Sequence, residues 1–130
     1  MKLITKEILK KLPLLKDLED PVNFETIVPL KLFSPVGQAT WFIMAIDGDS
    51  KALNENTILY GLCFLSTPEF GRVSLQELKD VQLPMGLKIE RDMSWSVDST
   101  LGDANNYLKN YGYGRIDWLV NQRVNYHEKM

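Results

Sequence analysis

At 130 residues the chain has the length of one domain, and a chain of this size can bury roughly two thirds of its unfolded surface and fold without a staple. Apolar residues make up 45% and charged residues 25%, as in an ordinary soluble globule. A net charge of −2 and a pI near 5.4 exclude a general polyanion binder, which must neutralise many phosphates, and equally a strongly acidic nucleic-acid mimic.

Cys63 is the single cysteine, so no internal disulfide and no thiolate zinc cluster can form. This suits a reducing compartment. The most apolar run, Thr57 to Leu65, is too short to span a bilayer, and Met1-Lys-Leu-Ile-Thr-Lys-Glu7 lacks the apolar core of a signal peptide. The expected setting is the cytoplasm, without a membrane partner.

In chain order, Thr5 can cap a helix from Lys6 to about Leu12, with Glu7 in the first turn where a negative charge favours the helix dipole. Ile4, Ile8, Leu9 and Leu12 share its apolar face, Lys6, Lys10 and Lys11 its outer face, and Pro13 ends it. Residues 15–25 read as a linker. Ile27 to Phe33 alternates, with Val28, Leu30 and Leu32 on one face and Ile27, Lys31 and Phe33 on the other. Pro29 removes a ladder donor, so this run is expected at an edge or at a strand's first residues. Ser34-Pro-Val-Gly37 suits a tight turn into a second strand, Ala39 to Ile46, and the two form a predicted hairpin.

Asp47 to Asn56 is a polar loop, and Thr57 to Leu65 reads as a strand covered on both faces, with Gly61 permitting a bulge or close packing. After a turn at Ser66 to Gly71 and a short strand at Arg72-Val73, Ser74-Leu-Gln-Glu77 has the pattern of a capping box opening a short helix to about Asp80. Ile89 to Trp95 is expected to add a last strand. Thr100 or Asp103 can open a helix through Tyr111, stopped by Gly112, and Ile116, Leu119, Val120 and Val124 mark a second amphipathic helix to about His127.

Several separated segments carry a family likeness: Met1-Lys-Leu-Ile-Thr-Lys-Glu7, Leu30-Lys-Leu-Phe-Ser-Pro35, Thr40-Trp-Phe42, Tyr60-Gly61, Glu69-Phe-Gly-Arg-Val-Ser-Leu-Gln-Glu-Leu78 and Ile89-Glu-Arg-Asp92. In this order they resemble DUF2958, a bacterial family of unknown function whose members are often encoded on plasmids, conjugative elements and phages. The likeness covers roughly residues 1–95. It departs at Arg72-Val73, where the family pattern is Gly-aromatic-aromatic-Ser-Leu, and it leaves the segment 100–130 as a helical extension. What it implies is a mobile-element accessory protein; it transfers no activity.

The densest charges are Glu90-Arg91-Asp92. On a strand Glu90 and Asp92 share a face and could hold a hard cation or act as acid and base if Asp47 or Glu69 arrived. The plainer reading is structural, with Arg91 fastening a carboxylate and Glu90 or Asp92 accepting backbone amides. His127 reads as a helix-end or surface residue, Cys63 as a small core residue, and Ser74 as a cap without a nucleophile elbow around it. The sequence carries no phosphate loop, dinucleotide fingerprint or paired-histidine metal motif, so no catalytic residue, metal or cofactor is assigned.

Aromatics admit two uses. Trp41, Phe42, Tyr60, Phe64 and Phe70 could stack bases on a sheet face, with Lys31 and Arg72 on phosphate, or form the core. Trp95, Tyr107, Tyr111, Tyr113, Trp118 and Tyr126 suit a protein interface or packing back on the sheet.

The reading is a single α+β domain: a mainly antiparallel sheet of four or five strands, an N-terminal helix, a short helix near 74–80 and a C-terminal helical pair. The expected function is non-catalytic binding of another protein, in one form antagonising a host defence system. The expected surface comprises Trp41, Glu69, Arg72, Glu90, Arg91, Asp92, Trp95, Tyr113 and Trp118, with self-association through the C-terminal helices also open. Two alternatives are a single-stranded nucleic-acid module using Lys6, Lys10, Lys11, Lys31 and Arg72, and a metal-dependent hydrolase using Asp47, Glu69, Glu90 and Asp92.

Overall fold

The computed structural model describes residues 1–112, 116, 117, 119 and 120. Its centre is a five-stranded antiparallel sheet in the order β4-β3-β2-β1-β5. The strands are β1 (Leu30–Phe33), β2 (Thr40–Asp47), β3 (Ile58–Phe64), β4 (Pro68–Ser74) and β5 (Glu90–Arg91), and the helices are α1 (Lys6–Lys11), α2 (Leu75–Asp80) and α3 (Leu101–Asn110).

Local chemistry sets the boundaries. The Ile8 amide donates to Thr5 Oγ1 at 3.2 Å and the Glu77 amide to Ser74 Oγ at 3.2 Å, so α1 and α2 begin where a hydroxyl satisfies a free amide. At α3 the cap is reciprocal: the Asp103 amide donates to Thr100 Oγ1 at 3.2 Å, and the Thr100 amide to Asp103 Oδ2 at 2.8 Å. Gly112, at φ +72°, lies just past its end.

The hairpin predicted across Ser34–Gly37 is present, with Leu32 opposite Trp41 and Phe33 opposite Thr40. Pro29 lies just before the first residue of β1, in line with the strand-start alternative; β1 is not an edge, because β5 pairs outside it, Leu32 with Arg91 and Phe33 with Glu90. β4 is longer than the two residues expected, because all of Pro68–Ser74 pairs with β3. A bulge in β2 between Ile43 and Ala45 sits opposite Gly61. A Cβ on Gly61 would come within 2.0 Å of the Phe42 carbonyl oxygen, so this position admits no side chain.

The sheet is covered on both faces. On one, Leu3, Ile8 and Leu12 from the N-terminal region and Leu75 and Leu78 from α2 meet Leu30, Trp41, Ile43 and Leu59. On the other, Leu101, Ala104 and Leu108 of α3 meet Phe42, Met44, Leu62 and Phe64. Ile116 is fully buried and Val120 nearly so in this second cluster. Buried Asn105 fixes that region by accepting from the Ile116 amide at 2.8 Å while donating to Asp117. Asp117, Leu119 and Val120 are helical; Tyr113 and the rest of the predicted second helix, including Trp118, Tyr126 and His127, lie outside the described residues.

Candidate functional site

Alternation along β1 puts Lys31 on the α3 face, opposite Phe42 of β2. It is 3% exposed. A buried ammonium requires a partner, and Asp92 supplies one at 2.8 Å. The ammonium also lies 3.6 Å from the ring centre of Tyr107, 5.8 Å from that of Phe33 and 5.9 Å from that of Trp95, within reach of cation–π attraction. Phe42 backs this cage, 5.5 Å from Trp95 and 5.9 Å from Tyr107, and the Trp95 indole donates to the Val28 carbonyl at 2.8 Å.

Burial by itself would raise the Asp92 pKa. The Lys31 hydrogen bond and charge, with the Ser94 and Trp95 amides, outweigh that and hold it below the ordinary carboxylate range. Asp92 is thus a structural anion that accepts from the Ser94 amide, in keeping with the plainer reading, and its cation is Lys31. Arg91 instead binds the Lys2 carbonyl through its guanidinium, while its amide approaches Met1 Sδ at 3.4 Å, so it ties the first residues beside β5.

The expected surface residues do not form one surface. Trp41 is 8% exposed in the α1–α2 core, and Trp95 is packed beneath α3. Glu69 and Arg72 are exposed on β4, at the opposite edge from Glu90 and Arg91 on β5. Four strand spacings separate those edges, about 19 Å. Arg72 is bonded to Asp47. Tyr113 and Trp118 lie outside the described residues.

The two alternative constellations also come apart. Lys31 is buried and paired, so it cannot join Lys6, Lys10 and Lys11 in one phosphate-binding surface. Asp47 and Asp92 are each bound to a different cation, and Glu69 lies across the sheet from Glu90. Among the described residues no group of three or more His, Cys, Asp or Glu could hold a metal ion. Cys63 is partly buried, and burial, with the charge of Glu69 across the strand pair, pushes its pKa up to about 11, which suits packing better than nucleophilic chemistry.

A groove of about 720 Å³ lies between the N-terminal residues, α2 and the segment 86–90. Leu3, Ile4, Leu75 and Ile89 provide buried apolar walls. Lys2, Lys79 and Lys88 are exposed along it, with half-buried Glu90. The tight turn over Pro84–Gly86, of which Gly86 lines the groove, carries two left-handed residues, Met85 at φ +64° and Gly86 at φ +73°. Met85 is 96% and Leu87 39% exposed. Sequence reading singled out Ile89 to Asp92 but did not bring Lys2, Leu75 and Lys79 beside that stretch. The one local signal was the apolar–charged alternation of Leu87-Lys88-Ile89-Glu90.

Among the described residues no helix is long and apolar enough to cross a membrane. Residues 3–112 match the family described as protein of unknown function (DUF2958). The match runs beyond residue 95, where the sequence likeness thinned, and takes in α3. No curated protein and no solved structure matches the chain.

Proposed function

The chain belongs to the DUF2958 family, and we propose that it is a non-catalytic binding protein that docks another protein in the groove between its N-terminal residues, α2 and the segment 86–90. The observation that carries this reading is the conjunction at one place of buried apolar walls and exposed apolar side chains at the lip. Exposed apolar surface beside a groove is costly in water and gains free energy when a partner covers it. The charged groups that looked like chemistry are engaged elsewhere: Asp92 with Lys31, Asp47 with Arg72, and Arg91 with the Lys2 carbonyl.

The setting we propose is the mobile-element one that the family likeness implies, with antagonism of a host defence system as one form of it. Binding to this groove would act by occluding a surface of the partner.

The test is affinity capture from a bacterial host lysate treated with nuclease, comparing the native protein with Leu87→Asp. Leu87 is exposed, so the substitution leaves the core intact. The reading expects a protein retained by the native chain and lost from the variant, with unchanged thermal unfolding. The same proteins on both would contradict the groove as the docking site.

A further inference from the structure

We infer that the occupant of this groove is an acidic amphipathic peptide segment of the partner, one that alternates carboxylates with apolar side chains. The inference rests on the groove being the docking site, as proposed above.

Charge is the first ground. The groove brings together Lys2, Lys79 and Lys88 against the single carboxylate of Glu90, on a chain whose net charge is −2. The ion pairs found among the described residues engage Lys11, Lys16, Lys31 and Arg72. The three groove lysines take part in none of these and are exposed. A local cationic site on an anionic protein favours a partner segment of negative charge and repels a basic one.

Shape and lining narrow the class. The apolar walls and the exposed Leu87 offer surface that a small hydrophilic anion would leave uncovered, and Met85, next in sequence to the lining residue Gly86, is exposed beside them. Met1, 72% exposed, adds a second thioether beside the groove. Methionine adapts its shape to different apolar partners. A nucleic-acid strand would match the lysines, but single strands are held largely by aromatic stacking, and among the described residues no aromatic side chain lines this groove. Sites for phosphate also favour the fixed fork of arginine, and the groove's cations are lysines.

The turn over Pro84–Gly86 is held in place rather than loosely offered. Met85 has a left-handed backbone although it is not glycine, an unfavourable arrangement that persists only where its surroundings fix it. The Leu83 amide donates to the Leu87 carbonyl at 2.9 Å, closing the turn beneath Met85.

The experiment is selection of displayed random peptides of about twelve residues, a length suited to an amphipathic segment in a groove, on the full chain. The selected peptides are then titrated by fluorescence anisotropy against two variants: Lys2→Gln/Lys79→Gln/Lys88→Gln, and Met85→Ser/Leu87→Ser. All five positions are exposed, and circular dichroism checks each fold. The expected peptides carry Asp or Glu interleaved with apolar residues. Their affinity should fall about tenfold, equivalent to roughly 1.4 kcal/mol, in each variant, and weaken with salt for the native chain only.

Selected peptides that are neutral or basic, or acidic peptides indifferent to the lysine substitutions, would overturn the inference while leaving the groove as a docking site. Peptides indifferent to both variants would overturn the docking reading itself. A thymidine oligonucleotide that displaces the acidic peptide and depends on the same lysines would assign the site to nucleic acid and likewise contradict the inference.

Discussion

Lys31 and Asp92 stand 61 residues apart in sequence and meet at 2.8 Å under a lid of aromatic rings. This pair joins β1, the segment after β5 and α3, because Tyr107 of α3 lies over the same ammonium. Asp92, from the densest charged stretch of the chain, is thereby an internal fastening.

The pair should respond asymmetrically to substitution. Asp92→Asn leaves a buried ammonium without its anion and should cost about 3 kcal/mol, the lower end for breaking a buried pair because Asp92 is partly exposed. Lys31→Met keeps the volume and the ring contacts while leaving Asp92 its backbone amide donors, so it should cost roughly 1 kcal/mol. Urea denaturation of both variants checks the order; equal losses would contradict it.

Acid should act through the same carboxylate. The Asp92 pKa is lower folded than unfolded, so its contribution is present above the ordinary carboxylate pKa and is lost as pH falls through the folded value. The stability gap between the native chain and Asp92→Asn should therefore narrow below about pH 4. A gap constant from neutral to acidic pH would contradict this.

Gly61→Ala should be among the most damaging single changes. The new methyl would overlap the Phe42 carbonyl in the middle of the sheet, where neither backbone can withdraw without breaking the β2–β3 ladder. A loss of about 3 kcal/mol or more is expected from such overpacking, read as a fall in the urea midpoint.

Cys63 should be slow to alkylate in the folded chain. With its pKa at about 11, roughly one thiol in a thousand is ionised at pH 8, and the thiolate is the reactive form. Iodoacetamide labelling followed by mass spectrometry should show strong protection that urea removes; equal rates folded and unfolded would contradict the burial.

Where a feature depends on near neighbours, the sequence showed it. Thr5, Ser74 and Thr100 cap helices because the bonds they make span three residues, and the Ser34–Gly37 turn fixes the hairpin by local geometry. Gly61 stood out as a glycine inside an apolar strand, and its neighbour's carbonyl explains it. Lys31 misled because alternation places it opposite Leu30 and Leu32, where a solvent face was expected; α3 covers that face, and nothing near Lys31 announces a helix beginning at Leu101. Trp41 and Trp95 misled in the same way, since an aromatic that anchors a core and one that anchors an interface have the same composition signal. The groove was least legible of all: Lys2, Lys79 and Lys88 become neighbours only after the sheet brings β5 beside the N-terminal residues.

The central claim is that this chain's charged core holds the fold while recognition falls to the groove. Amide hydrogen exchange, measured with and without the captured partner, tests it most directly. New protection is expected at Lys2, Lys79 and the segment 86–90, with Lys31 and Trp95 unchanged. Protection along β4 around Glu69 and Arg72, with none at the groove, would contradict it.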